Sequence, residues 1–176
     1  MSPSLALSLQ RGSRIVDWPV SPARLRRWVK LALEHDAVVT LRLVARAEAI
    51  ALNRAYRGRD YAPNVLTFPY GAPPAPAATA GAGPLQADIV ICVPVVREQA
   101  RAQRKAFEHH LAHMVVHGML HAQGHDHLEA AEAAAMESLE TRLLARLRMP
   151  DPYREGGGAI DANRVSSRRR NSVPAR

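Results

Sequence analysis

The chain predicts an α+β sandwich: a mixed sheet of about four strands packed with about five helices, with a metal site at the end of a central helix. Three observations lead there. Short β-branched runs alternate with stretches of helical spacing in the order β-α-β-α-β-β-α-α-α. Two helical crossovers favour parallel pairing of the first three strands, and the direct link from third to fourth suggests an antiparallel pair. Finally, His117 and His121 stand four apart in an apolar helical run that Gly124 can end.

Each element has its own local reason. Residues 4–10 alternate apolar and polar side chains, which predicts the first strand. Ser21 can cap a helix that Pro22 opens, with Leu25, Trp28, Val29, Ala32 and Leu33 on one face. The alternating, β-branched residues 38–45 read as the second strand, and residues 47–56 have helical spacing that stops near Gly58. Residues 64–70 and 87–93 read as the third and fourth strands. Between them, residues 71–84 are almost entirely Gly, Ala and Pro, a low-complexity loop insertion. Helices follow over 94–104, 107–123 and 128–148, the last closing before Pro150.

At 176 residues the chain predicts one domain over 1–154 and a basic, disordered tail over 155–176. No apolar run is long enough for a membrane span, and the first residues lack the pattern of a secretory signal. The single Cys92 excludes an internal disulfide, so a cytoplasmic protein is expected. The formal charge is +8, and residues 156–176 hold five arginines against one aspartate. Such a balance favours a polyanion partner such as RNA.

Residues 117–127, His-Gly-Met-Leu-His-Ala-Gln-Gly-His-Asp-His, carry the chemistry. His117 and His121 point the same way from a helix, and a turn at Gly124 can return His127 as a third ligand. Three neutral imidazoles suit one Zn²⁺ and leave a coordination position open, as catalytic sites do. The ligand spacing matches three-histidine zinc proteases, but their pattern needs Glu after the first histidine as general base. Here that residue is Gly118, which cannot move a proton. Seven of the eight histidines fall between His109 and His127, so a merely His-rich helix is the plain alternative. Asp126 can orient a ligand imidazole or cap the next helix. His113, one turn before His117, either lines the cleft or is a hydrogen-bonded core residue. His109 and His110 are expected at the surface.

Two segments together resemble the YbeY family of bacterial rRNA maturation factors, metal-dependent single-strand endoribonucleases. Residues 117–127 are similar to the family's H-G-x-L-H-x-x-G-[YH]-D-H, and residues 52–68 to its L-N-x-x-[YW]-R-x-x-D-x-x-T-N-V-L-S-F. A weaker likeness is Asp88-Ile89-Val90-Ile91. Pro63, Thr67 and Ala87 depart from the usual Thr, Ser and Gly. The resemblance implies zinc on His117, His121 and His127, with Arg57 as the functional arginine and His117 and Arg57 as the catalytic residues. It also implies action on single-stranded rRNA, with 16S 3′-end processing, ribosome quality control, and the small ribosomal subunit and its assembly factors as partners. His125 falls where the family tolerates Tyr or His and is not expected to bind metal. Asn64 and Thr67 either serve the cleft or pack the sheet. Two rivals stand: another zinc hydrolase, and a non-enzymatic RNA-binding assembly factor whose metal is structural and closed by a fourth ligand, His125 or Asp126.

Overall fold

A computed structural model of the chain describes residues 2–70 and 83–154. The expected insertion and basic tail therefore fall largely or wholly outside the described residues. The elements are β1 (Leu5–Arg11), α1 (Pro22–Leu31), β2 (Ala37–Val44), α2 (Arg46–Arg57), β3 (Val65–Tyr70), β4 (Leu85–Cys92), α3 (Val93–Ala102), α4 (Phe107–Ala122) and α5 (Ala130–Arg146). Four strands and five helices match the expected α+β class. The Ser21 side chain caps α1 as read, accepting from the Arg24 backbone N–H.

The sheet order is β1-β2-β4-β3, with β1, β2 and β4 parallel and β3 antiparallel to β4. This corrects the expected parallel set: β4, not β3, joins the first two strands. The reason is burial. Ile89, Ile91 and Cys92 of β4 are almost fully buried, and a strand covered on both faces belongs beside β2 in the middle. β3 carries Pro69, which has no N–H to donate to a ladder, and ends on the exposed Tyr70. It therefore takes the edge.

Two apolar layers sandwich the sheet. On one face, Val39, Leu41, Ile89 and Ile91 pack with Leu25 and Trp28 of α1 and with the apolar residues of α4 and α5. On the other, Leu66, Val90 and Cys92 pack with Ala49 of α2 and Val95 of α3. Eleven of the sixteen residues of α4 are buried, as befits a helix surrounded by protein on nearly every side. α4 contacts α1, α3, α5, β3 and β4, so a residue on it is held from several directions.

Gly118 explains how closely α4 can lie on the sheet. A Cβ built there would come 2.8 Å from Ile89 Cγ2 and 3.4 Å from Val65 Cγ2. The position where a zinc protease keeps its glutamate is thus a packing contact against β3 and β4. The last helix also starts later than its pattern predicted. Leu128 is 81% exposed, and residues 123–129 form a turn rather than the first turn of α5.

Candidate metal centre

The end of α4 builds the site. Gly124 has φ +95°, its N–H bonds to the His121 carbonyl at 3.0 Å, and the His125 N–H bonds to the Leu120 carbonyl at 3.0 Å. This paired closure needs a left-handed residue, which glycine supplies at little cost. Gln123 anchors the same corner to α1. Its Nε2 donates to the Ala32 carbonyl at 2.7 Å, and its Oε1 accepts from the Glu34 N–H at 2.6 Å. The turn is thereby fixed, and the chain doubles back to bring His127 to the helix.

His117, His121 and His127 converge, each half-buried, with one ring nitrogen apiece inside a 4.8 Å span. Ring centroids lie 4.5 Å apart for His117 and His121, 4.7 Å for His121 and His127, and 6.0 Å for His117 and His127. The donor set fits a divalent ion of borderline softness such as zinc. Among the described residues no fourth protein ligand joins these three. His125 turns away to Glu34, with Nε2 2.9 Å from Oε2. Asp126 stays beside a ligand imidazole rather than at the start of the next helix: Oδ1 accepts the His127 backbone N–H at 2.7 Å and lies 4.0 Å from His127 Nδ1, while Glu129 occupies the N-cap position of α5.

The residue that sequence reading missed is Glu140 of α5. Its side chain is fully buried, accepting from His117 Nδ1 at 2.6 Å, from His113 Nε2 at 2.9 Å and from the Tyr153 hydroxyl. Burial alone would push the Glu140 carboxyl up, yet the hydrogen bonds and charges of His113 and His117 outweigh it and hold it below the usual carboxylate range. An ionised carboxylate only accepts, so His117 carries its proton on Nδ1 and keeps the Nε2 lone pair for an ion. His113 is the hydrogen-bonded core residue of the two readings, and burial, against the Glu140 contacts, pushes its pKa down. His110 corrects an expectation. It is 1% exposed rather than at the surface, bonded through Nε2 to Gln99 Oε1 at 3.0 Å.

Arg57 ends α2, which packs on the other face of the sheet from α4. Its motif divides into residues that hold the loop and residues that face solvent. Buried Asn53 donates to the Tyr61 carbonyl at 2.9 Å, Arg54 pairs with Asp60, and Asn64 Oδ1 accepts the Val65 N–H at 2.8 Å. The Asn64 carbonyl takes the Cys92 N–H at 2.9 Å, which ties the loop to the end of β4. Arg57 itself is exposed, and among the described residues its guanidinium has no ion-pair or hydrogen-bond partner. The structure brings the three histidines together and leaves Arg57 outside their contacts. The loop after Arg57 leads into β3, where Val65 and Thr67 lie against Gly118, the neighbour of His117.

A mixed α+β sandwich with three convergent imidazoles, one of them oriented by a buried carboxylate, defines a site that could hold a divalent metal ion. The family description Endoribonuclease YbeY matches residues 18–148. The chain belongs to the YbeY family. Its relatives include the Endoribonuclease YbeY of Thiobacillus denitrificans, 54% identical over 153 residues, covering 87% of this chain and 99% of the relative. That of Bordetella pertussis is 48% identical over 163 residues, covering 87% and 98%. The solution structure of TM1509 from Thermotoga maritima shares the fold at 24% identity, with a TM-score of 0.51 over 81% of this chain and 91% of that one.

Proposed function

We propose that this chain is a metal-dependent endoribonuclease that cleaves single-stranded RNA in rRNA maturation and ribosome quality control, with 16S 3′-end processing as its task. The observation that carries the reading is the His117, His121 and His127 triad in a member of a family whose relatives are named endoribonucleases. The three histidines would hold one zinc ion. When bound, such an ion supplies Lewis acidity toward a phosphoryl oxygen and toward water.

The chain's own residues supply the rest. Glu140 fixes the Nδ1 proton of His117 and the orientation of its ring. Arg57, a fork of N–H donors with no partner among the described residues, grips a phosphate and stabilises charge that grows on its oxygens in the transition state. Gly118 puts no proton acceptor beside His117, so the missing base disfavours peptide hydrolysis. RNA brings a 2′-hydroxyl that can attack its own phosphate, and solvent attack is the other route. The absence of a fourth ligand among the described residues supports an open site over a closed structural one. The substrate chemistry accords with the +8 charge, and with the cytoplasm and the small ribosomal subunit as setting and partner.

The test is cleavage of a labelled single-stranded rRNA fragment by wild type, Arg57→Ala and His117→Ala, with metal content measured in each. Cutting should fall at least ~100-fold in both variants. Metal should stay in Arg57→Ala and be depleted in His117→Ala. Equal residual cutting in all three proteins would overturn the reading.

A further inference from the structure

Strand β3 serves both faces of the sheet. Val65 and Thr67 lie against Gly118, beside His117, whereas the alternate residues Phe68 and Tyr70 point to the opposite face, where α2 packs. There Phe68 meets Tyr56 of α2, the ring centroids 5.1 Å apart and the planes tilted by 57°. Tyr70 leans toward β4 and donates its hydroxyl to Asp88 Oδ2 at 2.5 Å; Asp88 is the residue that faces Phe68 across the ladder. That hydrogen bond raises the Tyr70 hydroxyl above its ordinary pKa, and the charge of Tyr56 adds to the effect. One ring is thus braced by Phe68 and the other tethered by a carboxylate, so both are held in place before any ligand arrives.

The two tyrosines are not spent on the core. Tyr56 is 69% exposed and Tyr70 55%, and no other aromatic residue described is exposed. Cations stand beside them. Arg57 and Arg59 follow Tyr56 in the chain, both are exposed, and neither has a partner among the described residues. Arg54 is engaged by Asp60, and Asp88 by the Tyr70 hydroxyl. Flat, pre-set ring faces next to free guanidinium forks suit a single-stranded nucleic acid, whose bases stack on the rings while its phosphates meet the cations. A duplex keeps its base faces stacked inside and offers these rings little.

We propose that Tyr56 and Tyr70 form a base-stacking platform for unpaired RNA, across the edge strand from the metal centre, with Arg59 on a backbone phosphate. The platform rests on the endoribonuclease reading for the identity of the nucleic acid, and it gives that reading a physical reason for taking single strands. Because β3 is the edge of the sheet, a strand of RNA can pass over it from the Tyr56 side to the His117 side without meeting a further strand.

The experiment is a binding titration of the full-length, metal-loaded protein over a salt series. The probes are a labelled 2′-O-methyl decauridylate, which lacks the 2′-hydroxyl nucleophile, and its duplex with 2′-O-methyl decaadenylate. Tyr56→Ala and Tyr70→Ala should each weaken single-strand binding at least ~5-fold and leave its salt slope unchanged, because stacking releases no counterions. Tyr56→Phe keeps the ring and should bind like wild type. Arg59→Ala should lower the slope by about 0.7. Circular dichroism and metal content should hold in all four variants, since each position is exposed. Duplex affinity should be the same in wild type and the tyrosine variants. Wild-type single-strand affinity in both alanine variants would overturn the platform. So would an equal loss on the duplex, or a Tyr56→Phe variant as weak as Tyr56→Ala. Binding is read without turnover, so a wild type that binds the strand yet cuts no rRNA counts against the cleavage reading alone.

Discussion

Glu140 Oε1 lies 2.6 Å from His117 Nδ1, and that one contact decides which nitrogen His117 presents to the triad. The carboxylate is shared, because its other oxygen takes His113 Nε2 at 2.9 Å and the Tyr153 hydroxyl. A fully buried, ionised side chain is therefore balanced by two donors from α4 and one from the turn that follows α5.

Glu140→Gln keeps the volume and removes this balance. An amide can accept from one imidazole but turns an N–H₂ toward the other, so one ring must change tautomer or go unpaired. Metal affinity should fall about 10–100-fold, as for other carboxylates that orient a ligand imidazole. Metal-free stability should fall by about 3 kcal/mol. Chelator competition reads the first and urea denaturation the second. Unchanged metal affinity would remove Glu140 from the centre.

The triad was legible because its geometry is local: helix spacing fixes His117 against His121, and Gly124 marks the return of His127. Glu140 was not, since it lies 23 residues from His117 on another helix. Its one signal is a glutamate standing in the stripe Ala133, Met136, Leu143 and Leu144, all buried on α5. The place of β3 could have been read from Pro69, a residue that fits an edge strand. The parallel crossover expected through α2 instead gave way to burial, which only the packed sheet reveals. Arg57 was singled out by family likeness. What local sequence could not convey is that Asn53, Arg54 and Asn64 are occupied in shaping the loop, leaving that arginine without a partner among the described residues.

Stability should depend on pH through His110. Burial, aided by the charges of His113 and Lys105, pushes its pKa down from 6.5 to about 4. The unfolded chain binds a proton between those values and the folded chain does not, so acidification favours unfolding. The stabilisation is complete above pH 6.5 and is lost as pH falls toward about 4. At about 1.4 kcal/mol per unit, the difference amounts to about 3 kcal/mol. Urea denaturation of metal-free protein across this range should give a shallower pH slope for His110→Gln than for wild type. Parallel slopes would show that His110 does not carry the effect.

Gly118→Ala should destabilise the fold, because the new Cβ would sit 2.8 Å from Ile89 Cγ2 on a central strand. Overpacking of this kind costs about 1–3 kcal/mol. The helix can relieve it only by lifting from the sheet, which moves His117, the preceding residue. Thermal denaturation should show a lower midpoint, and metal affinity should fall with it. A variant as stable as wild type would mean that α4 has room to spare.

Residues 156–176 make a separate, electrostatic prediction. Five arginines against one aspartate leave four net positive charges that can displace counterions from RNA. Each phosphate neutralised on a single strand contributes about 0.7 to the slope of log affinity against log salt, so deleting the segment should lower that slope by up to about three. Affinity should drop most at low salt and converge with that of wild type as salt rises. Metal content should not change, since every proposed ligand lies before residue 128. The measurement is a salt series of RNA binding by wild type and the deletion. Superimposable slopes would assign the polyanion affinity to the folded body and leave the segment without a part in RNA binding.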